Sequence, residues 1–310
     1  MKSIRRVLLR CIVVAGVVLT AGCSSGDAEP REPASRPAAS PAVITPTHTP
    51  AAGSYPTYVA LGDSFTAAPL ATETETADGC LRSSQNYPTL VAAFLHTDLD
   101  DRSCAGADTS SLVGVQETTK GAVPPQFEAL DEDTSLVTVG IGGNDFKLFA
   151  TLVGTCPSLR SQDPSGSPCR DQFTDGGRDL LREAVDKIQA RLVSTVTGIR
   201  DRAPNAEVVV VGYPAAITAD DTCPDLLPLA EGDQAYAAGI NEALAKAQQQ
   251  AAAETEAIYV DTYAASTGHD ICSADPWVNG QVTSADTALA YHPLAVEQQV
   301  VAALVVQSLP

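Results

Sequence analysis

An acid and a hydroxyl follow a short apolar run near residue 60, where Gly62 ends the run and Asp63 and Ser64 come next. In an α/β protein, the loop after the first strand is a place where ligands meet the sheet. A serine at the start of the next helix lies in a field that favours negative charge, which suits a nucleophile. Asp and Ser are also favoured helix caps, so this motif alone leaves a purely structural role open.

Three further polar motifs follow along the chain: Gly106 among small residues, Asn144 after Gly143, and His292 between a tyrosine and a proline. Ester hydrolysis needs an activated hydroxyl, a base that takes its proton, and donors for the oxyanion. Ser64 is the candidate nucleophile, and His292 is the candidate base because imidazole titrates near neutral pH. Each motif has a structural alternative, since the glycines and Asn144 suit turns and His292 precedes a helix-starting proline.

Strands and helices are predicted to alternate, which favours a parallel sheet in a three-layer α/β/α sandwich with right-handed crossovers. Four consecutive valines at 208–211 are typical of a strand covered on both faces. We expect strands at 58–62, 98–103, 136–141, 207–212 and 257–261, and helices at 87–96, 124–130, 178–202, 234–254 and 294–309. The glycine-flanked motifs follow strand ends, so they should meet at one edge of the sheet.

The four motifs in this order resemble the SGNH hydrolases, also called the GDSL esterase/lipase family, over about residues 57–310. The run 59–66 and the six cysteines between residues 80 and 272 are similar to the extracellular three-disulfide branch of that family. The resemblance implies a flavodoxin-like, mostly parallel five-stranded sheet and a serine esterase or lipase that works through an acyl-enzyme. It also implies an oxyanion hole made by the backbone N–H groups of Ser64 and Gly106 and the side-chain amide of Asn144. Neither a metal nor an organic cofactor is expected for this route.

The sequence departs from the family pattern beside His292, because Leu289 stands where most members carry an aspartate three residues before the histidine. Something must hold the imidazole in one tautomer. The hypothesis from the sequence is a Ser–His dyad in which a backbone carbonyl, most simply that of Leu289, accepts the histidine N–H. Asp286, six residues upstream, or the loop acid Asp275 is the alternative.

Three other side chains are assigned supporting roles. Asp63 and Asp145 are predicted to hold loops through bonds to the backbone rather than to act as acids. Trp277 is predicted to pack beside the His292 loop, where it would line the pocket.

Six cysteines follow the leader, and an even set in an exported chain is typical of disulfides. Fifteen pairings are possible for six cysteines. Closure between nearest neighbours gives Cys80–Cys104, Cys156–Cys169 and Cys223–Cys272. A metal site is the rival interpretation, but no CxxC spacing exists and the histidines are scattered.

The first 23 residues have the pattern of a secretory signal, with basic residues, a short apolar run and small residues before Cys23. The small residues before Cys23 resemble a lipobox, which predicts lipidation of that cysteine. Residues 24–54 are rich in Ala, Pro, Ser and Thr and are predicted to form a disordered linker. The catalytic domain is then 55–310, exported and held at the cell surface by a lipid anchor, or secreted if the anchor is lost.

The chain is acidic, with 19 Lys and Arg against 38 Asp and Glu and a formal net charge of −19. Such a surface repels phosphate backbones and argues against nucleic-acid binding. We expect a monomer whose only membrane contact is the N-terminal anchor. The expected substrate is a lipid, a short-chain ester or an acetylated glycan. The alternative functions are a catalytically silent surface binding module on the same fold and a carbohydrate O-acetyl esterase.

Overall fold

A computed structural model describes residues 45–310. The predicted signal peptide at 1–23, its Cys23 and most of the predicted linker at 24–54 lie outside the described residues.

Five parallel strands form the central sheet, in the order β2-β1-β3-β4-β5. This order is flavodoxin-like and confirms the predicted three-layer fold, and each predicted strand is present. The bounds are β1 Thr57–Gly62, β2 Asp98–Asp101, β3 Leu136–Gly140, β4 Glu207–Val211 and β5 Ile258–Val260.

Helices cover both faces of this sheet, and β4 shows why the strands are apolar throughout. Side chains alternate between the two faces of a strand. Val208 and Val210 therefore join one buried cluster with the helices at 180–202 and 234–254, and Val209 and Val211 join another with those at 87–95 and 295–308. The main helices are α1 Ser64–Ala67, α2 Tyr87–Leu95, α3 Leu180–Arg202, α4 Gln234–Glu254 and α5 Ala295–Ser308.

Smaller elements lie in the connections. The predicted helix at 124–130 is a single 3-10 turn, and α3 begins two residues later than predicted because Asp179 accepts from the N–H groups of Leu181 and Arg182 as its cap. Two hairpins pair Gln116–Thr118 with Gly121–Val123 and Thr174–Asp175 with Arg178–Asp179. The short helical segments are Thr109–Leu112, Gln126–Ala129, Asp145–Lys147, Leu148–Ala150, Thr151–Thr155, Cys156–Leu159, Pro168–Phe173, Glu231–Asp233 and Thr262–Ala265.

Three disulfides tie these connections together, with the pairing expected from closure between nearest neighbours. Cys80–Cys104 joins the loop after α1 to the loop after β2, next to Gly106. Cys223–Cys272 joins the loops after β4 and β5. Within residues 45–310, no helix is long and apolar enough to cross a membrane.

Candidate active site

Ser64 is the first residue of α1, two residues after Gly62 at the carboxyl end of strand β1. Asp63 caps the helix, and its Oδ1 accepts from the N–H of Phe65 at 2.9 Å. Gly62 is required at the end of the strand, because a Cβ there would lie 2.1 Å from Thr66 Oγ1 and 2.7 Å from the carbonyl oxygen of Gly140. The serine is thus held almost fully buried at the sheet edge where the strands end.

Gly106 and Asn144 come from the loops after the two strands that flank β1. Gly106 has φ +79°, a left-handed conformation that favours glycine. Asn144 Nδ2 donates to the carbonyl oxygen of Ala107 at 2.8 Å, which leaves its second N–H free to point elsewhere. That bond fixes the two loops relative to each other.

His292 is oriented by a backbone carbonyl, but the carbonyl is that of Ala290 and not that of Leu289. The Nδ1 of His292 lies 2.7 Å from the Ala290 oxygen. The Leu289 oxygen instead accepts the backbone N–H of His292 at 3.2 Å and Asn279 Nδ2 at 3.2 Å. Tyr291 has φ +61°, and this left-handed turn brings the Ala290 oxygen to the ring two residues later. The expectation that the Leu289 carbonyl orients His292 is therefore wrong by one residue, since the Ala290 carbonyl contacts the ring.

The two candidate acids do not bond to the imidazole in the structure. Asp286 is exposed on the loop before His292, and Asp275 is exposed as well, with its backbone oxygen 2.7 Å from Nδ1 of His269. Across residues 45–310, the hydrogen bonds and ion pairs give the His292 ring no carboxylate partner.

A carbonyl oxygen only accepts, so the bond to Ala290 requires a proton on Nδ1, and in the neutral ring Nε2 of His292 then carries none. Burial lowers the pKa of His292 below its ordinary value of 6.5, and the bond to Ala290 opposes part of that shift. The net lowering of the pKa favours the neutral form of the ring, which is the form that a general base needs.

One cleft of about 280 Å³ brings together Ser64, Gly106, Asn144, Leu289 and His292. The rest of its wall is mainly apolar. Asn241 also lines it, but its side-chain amide already bonds to the N–H of Ile217 and the carbonyl of Pro214. The apolar wall includes Phe65, Phe149, Val153, Ala216, Ile217 and Ile271.

Two buried networks support the polar edge of the cleft. Tyr213 Oη accepts from the N–H of Gly143 at 2.8 Å and donates to Asp63 Oδ2 at 2.5 Å, which connects the serine loop to the Asn144 loop. Burial raises the pKa of Asp63 to about 7, and its hydrogen bonds to Tyr213 and Phe65 oppose part of that rise. These bonds match the loop-holding role predicted for Asp63.

Asp145 also holds loops in the structure. Its carboxylate accepts from the N–H and hydroxyl of Thr109 at 3.0 and 2.5 Å and from Arg191 of α3 at 2.5 Å. The sequence identified Asp145 but not Tyr213 or Arg191. Tyr213 follows the glycine that ends the valine strand, which was a usable signal, whereas nothing local marked Arg191.

Trp277 packs beside the His292 loop, because its carbonyl accepts from the N–H of Leu294 and its neighbour Val278 bridges to Pro293. Its ring stacks on His269 at 4.3 Å and is absent from the cleft wall, so the expected pocket contact is not seen. No cluster of His, Cys, Asp or Glu that could hold a metal ion occurs between residues 45 and 310.

Comparison with known proteins gives consistent matches. Residues 60–296 match the model of the GDSL-like lipase/acylhydrolase family. The chain is 36% identical to lipase 2 of Streptomyces coelicolor over 276 residues, which is 88% of this chain and 85% of that protein. It is 31% identical to an esterase of Streptomyces scabiei, over 72% of this chain and 74% of the esterase.

Solved structures agree with the sequence matches. Phospholipase A1 from Streptomyces albidoflavus NA297 superposes with a TM-score of 0.65 at 31% identity, covering 79% of this chain and 94% of that one. An extracellular lipase from Streptomyces rimosus superposes with a TM-score of 0.64 at 27% identity, covering 78% and 94%.

Proposed function

Since this chain belongs to the GDSL-like lipase/acylhydrolase family and is a carboxylic ester hydrolase, we propose that Ser64 is its nucleophile and His292 its general base. In this mechanism, Nε2 of His292 takes the hydroxyl proton as Ser64 Oγ attacks the ester carbonyl. The imidazolium then gives the proton to the departing alcohol, and an acyl-enzyme remains. Water activated by the same nitrogen releases the acid and restores Ser64.

The oxyanion of each tetrahedral intermediate is stabilised by three donors: the N–H groups of Ser64 and Gly106 and the free side-chain N–H of Asn144. Two features support this assignment. All three residues line the cleft that also holds His292, and the carbonyl of Ala107 already binds the other N–H of Asn144. Donors fixed before the reaction need no reorganisation when charge develops on the substrate.

The carbonyl of Ala290 orients His292 in place of an aspartate. It accepts a hydrogen bond from Nδ1–H and so leaves Nε2 as the ring nitrogen that can take a proton. This is the single observation that carries the proposal of a Ser–His dyad, because it supplies the orientation that the missing acid would supply elsewhere.

The substrate proposed here is an ester with an aliphatic acyl chain. The cleft beside Ser64 has a wall of Phe, Val, Ile and Ala side chains, which suits hydrocarbon better than a sugar. The relatives named lipase and phospholipase A1 support the same choice. A silent binding module is disfavoured, because a neutral His292 shares the cleft with Ser64.

Export with an N-terminal lipid anchor at Cys23 is also part of the proposal, with residues 24–54 as the tether and 55–310 as a monomeric catalytic domain. The three disulfides support an oxidising compartment. The related lipase of Streptomyces rimosus is extracellular, which agrees with export.

The test is hydrolysis of p-nitrophenyl acetate, butyrate, decanoate and palmitate by the purified full-length chain. We expect activity that rises beyond butyrate and disappears in Ser64→Ala. Ser308→Ala, which removes a hydroxyl at the end of α5, is the matched control and keeps wild-type rates. Full activity in Ser64→Ala would overturn the assignment of the nucleophile, and a strong preference for acetate would favour the glycan esterase.

A further inference from the structure

We propose that Gln116 is a positioning residue for the oxyanion hole and acts through the peptide group between Ala105 and Gly106. The inference rests on the proposed function, in which the Gly106 N–H binds the oxyanion. Gln116 Nε2 donates to the carbonyl oxygen of Ala105 at 2.9 Å. Gln116 begins the hairpin at 116–123 and is ten residues from Gly106 in sequence.

The planarity of the peptide group connects this bond to the reaction. The carbonyl of Ala105 and the N–H of Gly106 belong to the same planar unit, and in a trans peptide they point in opposite directions. A donor that holds the carbonyl on one side therefore fixes the direction of the N–H on the other. Among the described residues, Gln116 is the only hydrogen-bond donor to this carbonyl.

The two ends of this peptide face different parts of the molecule. Ala105 and Gly106 line the apolar cleft with Ser64, whereas Gln116 lines a separate polar groove with Arg82 and Gln126. A Cβ built on Gly106 would lie 3.8 Å from Gln116 Nε2, so the amide sits directly behind the glycine. Gln116 reaches the oxyanion donor from behind and does not contact the substrate.

The Gly106 peptide needs such support because the turn from Cys104 to Ala107 that contains it leaves the direction of this peptide open. Gly106 has no side chain and adopts φ +79°, so rotation of the preceding peptide meets little steric resistance. The N–H of Ala105 is held by the carbonyl of Cys80 at 2.9 Å, and the Cys80–Cys104 disulfide fixes the residue before it.

The N–H of Ala107 also donates to the carbonyl of Cys104 at 3.0 Å and closes a turn around the Ala105–Gly106 peptide. Type I and type II turns share that closing bond and differ in the orientation of the central peptide, so the bond does not by itself fix the direction of the Gly106 N–H. The bond from Gln116 holds the central peptide in the orientation that the structure has.

An unpartnered oxygen on the Gln116 side chain also indicates a role for its Nε2 donor. Gln116 Oε1 is buried and has no hydrogen-bond partner among the described residues. A buried polar atom without a partner is unfavourable, so a side chain kept only for packing would do better without the amide. A donor to the carbonyl also polarises the peptide and strengthens the N–H as a donor to the oxyanion.

The first test compares Gln116→Met, which keeps the length of the side chain and removes the donor, with Gln234→Met. Gln234 is a buried glutamine whose Nε2 likewise donates to a single carbonyl, that of Thr218 at 2.8 Å, and it does not line the cleft. We expect kcat of Gln116→Met to fall roughly tenfold with KM unchanged, less than the roughly 100-fold or greater loss when an oxyanion donor itself is removed. An alkylboronic acid, whose tetrahedral adduct with Ser64 places an oxygen in the oxyanion hole, should bind more weakly by the same factor. Gln234→Met should match the wild type in both measurements.

The second test reads the peptide directly, without activity. The ¹⁵N resonance of Gly106 should shift in Gln116→Met and stay in place in Gln234→Met. If Gln116→Met does not fold, Gln116→Glu, which keeps the shape and removes the donor, takes its place.

An unmoved Gly106 resonance with an unchanged kcat would overturn this inference and leave the proposed function intact. A rise in KM with kcat and boronic acid affinity unchanged would overturn it as well. If the Gly106 resonance shifts in Gln116→Met but the wild type hydrolyses none of the esters, the proposed function would be contradicted and this inference would not.

Discussion

At the scale of single residues, the site is unusual in how its histidine is held. The imidazole of His292 depends on a carbonyl two residues away, and that contact exists because Tyr291 adopts φ +61°. A backbone acceptor has no side chain to lose or to protonate. Orientation of the base therefore resides in the conformation of the loop and does not depend on the ionisation of a third residue.

We therefore predict that Asp286→Ala and Asp275→Ala each keep kcat/KM for a p-nitrophenyl ester within about twofold of the wild type, since surface substitutions away from special contacts have small effects. Both aspartates are exposed, and His292 bonds to the Ala290 oxygen. His292→Ala is the positive control and should abolish turnover. A loss of a thousandfold or more in either aspartate variant would show that an acid, and not the carbonyl, orients the ring.

At the scale of elements, the loops after three adjacent strands carry the proposed oxyanion donors, and buried contacts hold those loops against each other. The loop after β3 packs tightly: the N–H of Gly143 donates to Tyr213, and the carbonyl of Gly143 accepts from the N–H of Phe149. The space above Gly143 is filled by the ring of Phe149, two of whose atoms would lie 2.2 Å from an added Cβ. Asn144, the next residue, takes its position from this packing.

Gly143→Ala should consequently lower both stability and turnover. The added methyl group must displace Phe149 or the loop, and overpacking of this kind costs about 1–3 kcal/mol. Displacement of the loop moves Asn144 away from the oxyanion, so kcat should fall more than KM rises. Urea unfolding and ester kinetics measure the two effects.

Gly154→Ala is the matched control in the neighbouring helical segment, because an added Cβ there meets nothing within 4 Å. It should keep full activity and gain up to about 1 kcal/mol of stability. Equal behaviour of the two variants would contradict the packing account.

The elements were largely predictable from the sequence because their signals are local. The valine run gave β4, and the three- and four-residue spacing of apolar side chains gave α3. The candidate site was predictable as a set of motifs at strand ends, and the cleft does unite Ser64, Gly106, Asn144 and His292.

The carbonyl that orients His292 was predicted one residue too early. Which carbonyl reaches the ring depends on the left-handed conformation of Tyr291, and the sequence gives no sign of that conformation. Tyr213 and Gln116 escaped notice for a different reason. Their partners are backbone groups 70 and 11 residues away, so nothing in the sequence indicates what they bind, even though Tyr213 follows a strand-ending glycine.

At the scale of the whole molecule, the buried layer behind the serine loop carries acids that the reaction does not use. Glu297, in the first turn of α5, is buried beside Phe65, Tyr87 and Tyr213, and its Oε2 accepts from Gln298 Nε2 at 2.6 Å. Burial raises the pKa of Glu297 from its ordinary 4.5 to about 8, and the bond from Gln298 opposes part of that rise. Gln298 also donates to the carbonyl oxygen of Phe65, so the pair connects the last helix to the helix that begins with Ser64.

The sign of the resulting pH dependence follows from proton binding. Between about pH 4.5 and 8, the folded state keeps the Glu297 proton and the unfolded state has lost it, so the folded state binds more protons. The contribution of Glu297 to the free energy of unfolding is therefore fully present below about pH 4.5 and is lost as the pH rises to about 8. Each pH unit in that window lowers the free energy of unfolding by up to about 1.4 kcal/mol. Asp63, with a pKa of about 7, contributes in the same direction over a narrower window.

We predict that Glu297→Gln, which keeps the shape and an acceptor for Gln298 but cannot ionise, is more stable than the wild type at pH 9. The advantage should shrink toward pH 5, because the wild-type carboxyl is then protonated and equally neutral. Urea unfolding of the full-length chain at pH 5, 7 and 9 measures the difference. Glu128→Gln, on the surface, makes the same chemical change and should follow the wild type at every pH. An advantage of Glu297→Gln that stays constant from pH 5 to 9 would mean that packing, and not ionisation of this buried acid, sets the stability of the layer behind Ser64.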